Sequence, residues 1–309
     1  MLTKISNKSR LRIASMYLVW PVLFGLGMIG TGAALASDHP LPWFVALYLS
    51  IALGIGMFER LMPHERQWLE DDRESLNDIA HTLLNKGSVN VLTAVITMFT
   101  MGTAQIVVPA ITARPPLWPG DWPLFCQVLL GLIVAELGLY IAHRGGHVWR
   151  PMWLFHALHH SVTRLWVVNT GRFHIVDTIV KIILSQTPLY LLGAPLPVFL
   201  WVSAVTAFIG LLTHCNIDVR TGPFDLVFCT PRLHRWHHSK VIAEGNMNYG
   251  ENLMLWDQIF GTYFNPPRRR PPADIGIDGR IATGFLPQLA QPFTARGIRE
   301  ILGETPLET

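Results

Sequence analysis

Long apolar runs separated by short polar breaks dominate the first half of the chain. Four of them, at residues 17–36, 43–58, 89–111 and about 124–141, have the length and composition of membrane-spanning helices. The first two are separated only by a short turn around His39, which predicts a helical hairpin. The pattern therefore predicts an all-α integral membrane protein with about four transmembrane helices.

A further apolar stretch, residues 175–212, is interrupted by polar and helix-breaking residues. Lys181, Gln186 and Pro188 lie within it, and Gly193-Ala-Pro195-Leu-Pro197 divides it near the middle. Such a stretch forms either a hairpin that crosses the membrane or a re-entrant one. Both possibilities remain open at this point.

The segment between the second and third spans, residues 59–88, is strongly charged. Leu76, Ile79, Leu83 and Leu84 recur within it at the spacing of one helical face. A charged helix with a single apolar face is typical of the membrane interface. We therefore expect this segment to lie along the bilayer surface.

Composition agrees with this membrane class. The chain of 309 residues is 50% hydrophobic and 15% charged, and its net charge is +3. Soluble domains carry about 25% charged residues. These values exclude a disordered chain and a highly charged nucleic-acid-binding protein, so no nucleic-acid partner is expected. Three cysteines without CxxC spacing indicate neither a disulfide framework nor a thiolate metal site.

The distribution of basic residues predicts an orientation. With a cytoplasmic N-terminus, 22 of the 24 Lys and Arg residues fall on the cytoplasmic side of the predicted spans. This bias follows the positive-inside rule. It places the His-rich segments at the cytoplasmic face, of the inner membrane in a bacterium or the endoplasmic reticulum in a eukaryote. The short basic run Arg268-Arg-Arg270 is interpreted as an anionic-lipid contact.

Histidine is concentrated in three clusters. Of 13 histidines, ten lie between His143 and His238. The clusters are His143-Arg-Gly-Gly-His147, His156-Ala-Leu-His159-His160 and His234-Arg-Trp-His237-His238. Residues i, i+3 and i+4 of a helix share a face, so we expect each cluster to direct its imidazoles at a common point. His39, His64 and His81 lie outside the pattern and are expected to be structural.

Neutral imidazole is the commonest metal ligand, so the clusters predict metal binding. Zinc sites normally use three or four ligands, and eight to ten imidazoles therefore favour two metals. A metal-binding transporter would need ligands at the bilayer midplane, and a membrane zinc hydrolase usually carries a catalytic carboxylate in its metal motif. The metal-binding transporter and the membrane zinc hydrolase are therefore the two alternative functions that would use the same His cluster.

The three clusters, in this order on a multipass membrane chain, resemble the fatty acid hydroxylase/sterol desaturase superfamily of membrane non-haem di-iron enzymes. The likeness covers roughly residues 120–290. It extends to Asn169-Thr-Gly-Arg-Phe-His174, His214-Cys-Asn216 and the tail from Asn248 to Tyr263. Together with the predicted spans, it divides the chain into three parts. These are an N-terminal transmembrane hairpin, interfacial segment and third span over 1–120, a catalytic domain over 121–290 with a cytoplasmic helical cap, and a C-terminal tail over 291–309.

The resemblance also implies the site residues. The implied metal ligands are His143, His147, His156, His159, His160, His174, His214, His234, His237 and His238. The residues expected to orient the imidazole N–H groups from outside are Glu136, Asn216, Asn248 and Asp257. Two positions depart from the family pattern, because Glu136 and Asn246 stand where aspartate is usual or frequent.

The chemistry implied is O2-dependent hydroxylation or desaturation of a sterol, fatty acyl chain or similar membrane lipid at two iron ions. Zinc is a possible substituting metal, and no catalytic residue beyond the metal centre is expected. The sequence contains no flavin, haem or iron–sulfur motif. Electrons must then come from a separate donor of the ferredoxin or cytochrome type. The histidine clusters do not separate hydroxylation from desaturation, and the pattern makes no prediction of oligomeric state.

Overall fold

The computed structural model describes residues 7–87 and 117–304. In these ranges the regular elements are helices, accompanied by three isolated β-bridges. The predicted third span, 89–111, lies outside the described residues. The α-helices, in chain order, are α1 Asn7–Leu35, α2 Pro40–Leu61, α3 Ser75–Ala80, α4 Leu124–Val148, α5 Arg150–His160, α6 Ile175–Leu192, α7 Leu196–Thr213, α8 Pro231–His237, α9 Ile242–Gly245, α10 Leu255–Phe260, α11 Phe285–Ala290 and α12 Ala295–Ile301.

Five of these helices are long and apolar enough to cross a membrane, namely α1 from Arg10 onward, α2, α4, α6 and α7. The interrupted stretch thus consists of two helices of 18 residues each, about 27 Å long at the usual rise. Gly193 ends α6 in the left-handed conformation, with φ 81°. This conformation carries no penalty for glycine. Pro195 then precedes α7 in an extended conformation.

Helix α4 is at the centre of the described bundle and packs against α5, α6, α7 and α10. Gly138 permits its closest contact, since a Cβ there would lie 2.0 Å from the carbonyl oxygen of Leu184 on α6. The α1–α2 hairpin packs on α7, where Trp20, Ile55 and Phe208 share one buried core. The histidine-bearing ends of α4 and α7 are therefore held by helices on both sides.

The charged segment after α2 forms α3, which continues as a π-helical turn over His81–Lys86. Its four predicted apolar residues, Leu76, Ile79, Leu83 and Leu84, are all exposed. Arg172 ties the other face of α3 down through ion pairs with Glu74 and Asp78 at 2.9 and 2.8 Å. An exposed apolar face opposite a tethered polar face is consistent with the expected interfacial helix.

Candidate metal centre

Nine histidines form two adjacent groups in which each residue offers one ring nitrogen. The first, the five-histidine group, is His143, His147, His156, His160 and His237. The second, the four-histidine group, is His159, His214, His234 and His238. Within each group the ligand atoms all lie within 4.8 Å of one another. Ring centroids of His160 and His238 are 4.5 Å apart, so the two groups adjoin.

Each HxxHH cluster contributes to both groups, so the expectation that a cluster converges on one point is wrong. His156 and His160 belong to the five-histidine group, whereas His159 belongs to the four-histidine group. The last cluster divides in the opposite sense, with His237 alone in the five-histidine group. At roughly 100° per residue, positions i and i+4 lie about 40° apart, while i+3 lies about 60° to the other side. One helix turn therefore contributes imidazoles to both groups.

Oxygen acceptors fix the rings of the five-histidine group from outside. His143 Nδ1 donates to the Tyr249 carbonyl at 2.7 Å, and His237 Nδ1 donates to the Met247 carbonyl at 2.8 Å. His147 Nδ1 lies 3.0 Å from Asn246 Oδ1, and His156 Nδ1 lies 3.0 Å from Asp177 Oδ2. Because these oxygens accept, each Nδ1 carries the proton, and Nε2 is left with its lone pair.

The four-histidine group has fewer such partners. His159 Nδ1 donates to the Arg172 carbonyl at 3.3 Å, and His214 Nδ1 donates to Asn169 Oδ1 at 2.9 Å. The Nδ1 atoms of His234 and His238 are buried and have no hydrogen-bond partner among residues 7–87 and 117–304. The two groups thus differ in the support their rings receive.

The inward nitrogens fit a pair of metal ions. His160 Nε2 lies 3.0 and 3.1 Å from the Nε2 atoms of His147 and His156, both of which present lone pairs. A proton on His160 could satisfy only one of them at a time. In the described part of the chain, the buried Nε2 atoms of His143 and His237 have no partner at all. A cation in each group would satisfy these lone pairs together, since metal–imidazole bonds of about 2.0–2.1 Å suit donors this close to one another.

Burial keeps histidines of both groups neutral, which is the form that binds metal. Burial, with the neighbouring imidazoles, lowers the pKa of His160, His234 and His238 well below the ordinary value. Burial lowers the pKa of His237 to about 3. These rings are therefore neutral at physiological pH, and metal binding there does not have to displace protons.

The structure does not bring His174 to either group. Its Nδ1 accepts the Val176 N–H at the start of α6, and its Nε2 donates to the Leu289 carbonyl at 3.0 Å. Both ring nitrogens are therefore engaged away from the metal positions. His174 caps a helix and attaches the C-terminal segment to the cap, while the other nine expected ligands converge.

Three of the four residues expected to orient imidazoles act one layer further out, by holding the loop of residues 246–252. Glu136 accepts the N–H groups of Glu251 and Asn252, and Asp257 accepts those of Tyr249 and Gly250. Asn248 adopts φ 57° and bonds the backbone of Leu233 and Phe264. They hold the loop whose carbonyls accept from His143 and His237.

Asn216, the fourth, makes no hydrogen bond to a histidine of either group among the residues that the structure describes. Its side chain bonds the backbone N–H and C=O of Glu65, 2.9 Å away in each case. The residue therefore joins the start of the cap to the segment after α2.

Sequence reasoning missed the residues that contact the rings directly. Asp177, Asn169 and the carbonyls of Arg172, Met247 and Tyr249 were not among the expected partners. For Asp177 a signal was present, because Asp177 and Lys181 are one helical turn apart in an apolar span. Intramembrane charges are expensive and usually functional. Lys181 Nζ lies 2.7 Å from Glu251 Oε1 and 3.5 Å from Asp177 Oδ2.

The described bundle contains five helices long and apolar enough to cross a membrane, and it ends in two adjoining imidazole groups that could each hold a metal ion. The chain belongs to the fatty acid hydroxylase family. The family model matches residues 128–262. The chain is 59% identical over 302 residues to ornithine lipid hydroxylase OlsE of Rhizobium tropici, covering 98% of this chain and 91% of the relative. Membership makes the protein an oxidoreductase that acts on lipids.

More distant relatives match about half of the chain. Human alkylglycerol monooxygenase is 28% identical over 152 residues, which is 47% of this chain and 32% of the relative. A probable Delta(7)-sterol 5(6)-desaturase of Neurospora crassa is 27% identical over 158 residues, 48% of this chain and 41% of the relative. No solved structure matches the chain.

Proposed function

We propose that this protein uses O2 to hydroxylate an ornithine lipid at a di-iron centre held by the nine converging histidines. The observation that carries the proposal is the pair of adjoining imidazole groups with lone pairs directed inward. A group of five imidazoles exceeds the four ligands of a tetrahedral zinc site, and imidazole is also a good ligand for iron. The identity to an ornithine lipid hydroxylase over nearly the whole chain supports the substrate class.

In the reaction a C–H bond of the lipid becomes C–OH. One oxygen atom of O2 enters the product and the other leaves as water, with consumption of two electrons and two protons. The bound irons would supply the activation of O2 that attack on an unactivated C–H bond requires. Because the chain has no flavin, haem or iron–sulfur motif, we propose that a ferredoxin or cytochrome delivers the electrons.

The protein's own residues orient the ligands and exclude water. The outer oxygen acceptors fix six rings in the tautomer that leaves Nε2 free for metal. Eight of the nine histidines are buried, and His147 is half-buried. The first two ligands lie near the end of α4, a candidate membrane span, so a lipid could approach the site from the bilayer.

We also propose that the metal centre faces the cytoplasm. The start of α1, the end of α2 and the end of α7 meet at one face, where Arg220 N–H bonds the Met16 carbonyl and Asp218 N–H bonds the Met62 carbonyl. This arrangement supports one common side for the segments that carry most of the basic residues. The positive-inside rule then assigns that side to the cytoplasm.

The test is an assay of the purified full-length protein with ornithine lipid, O2 and a ferredoxin reducing system. We expect about two irons per chain. We also expect one oxygen atom from labelled O2 to enter the lipid, which mass spectrometry of the product would detect. The variants His159→Ala and His237→Ala should lose this activity. His39→Ala is the matched control, because His39 is exposed in the turn between α1 and α2 and should be fully active.

Full activity in either ligand variant would contradict the ligand assignment. A single tightly bound zinc without O2 uptake would contradict the oxygenase and favour a membrane zinc hydrolase. Hydroxylation of another lipid in place of ornithine lipid would reject only the substrate.

A further inference from the structure

An arginine-rich cavity of about 660 Å³ lies outside both histidine groups. Two carboxylates, Glu65 and Asp218, are among its lining residues. Its basic lining residues are Arg12, Arg66, Arg220, Arg232, Arg235 and Arg270. Six guanidinium groups against two carboxylates leave a strong positive excess. Neither proposed metal ion would contact this cavity, since none of the nine converging histidines lines it.

Two buried side chains of the cavity have nitrogen atoms without a hydrogen-bond partner in the part of the chain that the structure describes. Arg235 is 1% exposed and donates to the carbonyls of Cys215 and Ile217, but its Nε is unpartnered. His64 Nε2 is likewise buried without a hydrogen-bond partner, 3.8 Å from a Glu65 carboxylate oxygen. Leaving buried polar groups unmatched is costly, which points to a ligand with acceptor oxygens.

Two exposed arginines of the cavity have guanidinium N–H groups that can bind a ligand. Arg66 is exposed, and its side chain makes no hydrogen bond or ion pair within residues 7–87 and 117–304. Arg220 is also exposed, and its guanidinium group lies 5.8 Å from the ring centroid of Tyr17 and 3.4 Å from the Tyr17 hydroxyl oxygen. Guanidinium groups of this kind bind phosphate oxygens in pairs.

The titration of His64 reflects the same positive field. Burial lowers its pKa, and the charges of Arg235, Arg270 and Arg232 lower it further. His64 is therefore neutral and can donate one N–H or accept one. The cations of the cavity are arginines, which remain charged throughout the physiological range.

The cavity is at the level where candidate membrane spans end. Arg12 and Met16 belong to the first turns of the α1 span, Pro63–Arg66 follow α2, and Asp218–Arg220 follow α7. A site at this level faces lipid headgroups, and clustered arginines at a membrane surface attract anionic lipids. Its volume falls within the range of small-molecule sites.

We propose that this cavity binds the phosphate headgroup of an anionic membrane phospholipid. The ligand chemistry, a phosphate held by guanidinium groups, would also suit free inorganic phosphate, but the position at the ends of three spans favours the lipid. The site is distinct from the lipid-oxidation site, so its occupancy does not depend on whether the enzyme hydroxylates ornithine lipid.

The experiment measures binding of phosphatidylglycerol and phosphatidylcholine to the full-length protein in detergent by native mass spectrometry. We expect a preference for phosphatidylglycerol, and we expect the rim variant Arg66→Gln/Arg220→Gln to weaken its binding by about tenfold or more. The matched control is Arg150→Gln/Arg280→Gln, which removes two exposed charges outside the cavity and should bind as the wild type does. This readout requires no enzymatic turnover.

Equal binding of the two phospholipids, or an equal loss in the rim and control variants, would overturn the proposal. Arg66- and Arg220-dependent binding of inorganic phosphate without any phospholipid preference would overturn the lipid as the source of the phosphate. If the rim variant binds phosphatidylglycerol normally but loses ferredoxin-dependent turnover, the cavity is a docking surface for an acidic protein, and the lipid proposal is wrong.

Discussion

The two histidine groups differ in how their rings are supported. Four of the five rings in the five-histidine group donate Nδ1–H to an oxygen, and one of those oxygens belongs to the Asp177 carboxylate. In the four-histidine group only His159 and His214 do so. The buried Nδ1 atoms of His234 and His238 lack a partner among the residues described.

This difference indicates that the two proposed metal positions are unequal. Outer acceptors orient an imidazole and make its other nitrogen a stronger metal ligand, most of all when the acceptor is a carboxylate. The five-histidine group has both more ligands and better supported ones. We therefore expect it to hold its metal more tightly, and the four-histidine group to hold a more labile metal with a more open coordination sphere.

The largest expected effect comes from removing one ligand of each group. His238→Ala leaves three imidazoles in its group, whereas His160→Ala leaves four in the other. Both variants should lose lipid hydroxylation, but His238→Ala should lose about one iron per chain and His160→Ala distinctly less. Iron analysis of the purified variants checks this. Equal iron loss in the two variants would contradict the expected difference in metal affinity between the two groups.

Chelation should separate the two metals in time. We expect a chelator to remove iron in two phases whose rates differ by about tenfold or more, with the fast phase from the four-histidine group. Iron release is followed by absorbance of the chelate. In His238→Ala the fast phase should be absent. A fast phase that persists in His238→Ala would show that the labile metal is not held by the four-histidine group.

The outer partners should each affect one phase. Asp177→Asn removes the carboxylate beside His156 and should reduce activity about 10- to 100-fold while accelerating the slow phase. Asn169→Ala removes the acceptor of His214 and should accelerate the fast phase. Asn216→Ala is the control, because Asn216 bonds Glu65 and not a described histidine of either group, and it should leave both rates within about twofold. If either test variant changed both phases of iron release, the two histidine groups would not be supported independently by their own acceptors.

Much of the fold could be predicted because each feature is local in sequence. Apolar length defines a span, and α1, α2 and α4 lie where the hydropathy pattern predicts them. The exposed face of α3 follows from residue spacing alone. The interrupted stretch was ambiguous, since Gly193 and Pro195 are consistent with either a re-entrant loop or the turn between two helices.

The site was predictable as a set of histidines that come together, but the arrangement of these histidines was not. Nine of the ten expected histidines converge because the clusters lie at the ends of helices that pack together. Their division between two metal positions depends on the rotation of each helix, which tertiary packing decides. The direct acceptors come from α6 and from loops, 10 to 106 residues away from their histidines in sequence. His174 matches the family pattern, yet its helix-capping role is set by the neighbouring backbone.

The smallest expected effect is at Glu136, which supports the five-histidine group indirectly. Its buried carboxylate accepts the N–H groups of Glu251 and Asn252, next to the Tyr249 carbonyl that orients His143. Glu136→Gln replaces one accepting oxygen by a donor and should destabilise the protein by about 1–3 kcal/mol. We expect activity to fall a few-fold and the slow phase of iron release to quicken while the fast phase stays unchanged. Residues 246–252 accept hydrogen bonds from rings of the five-histidine group, whereas the acceptors of the four-histidine group are Arg172 and Asn169. An equal change in both phases would therefore mean that Glu136 supports the fold as a whole, and it would contradict the expected difference between the two groups.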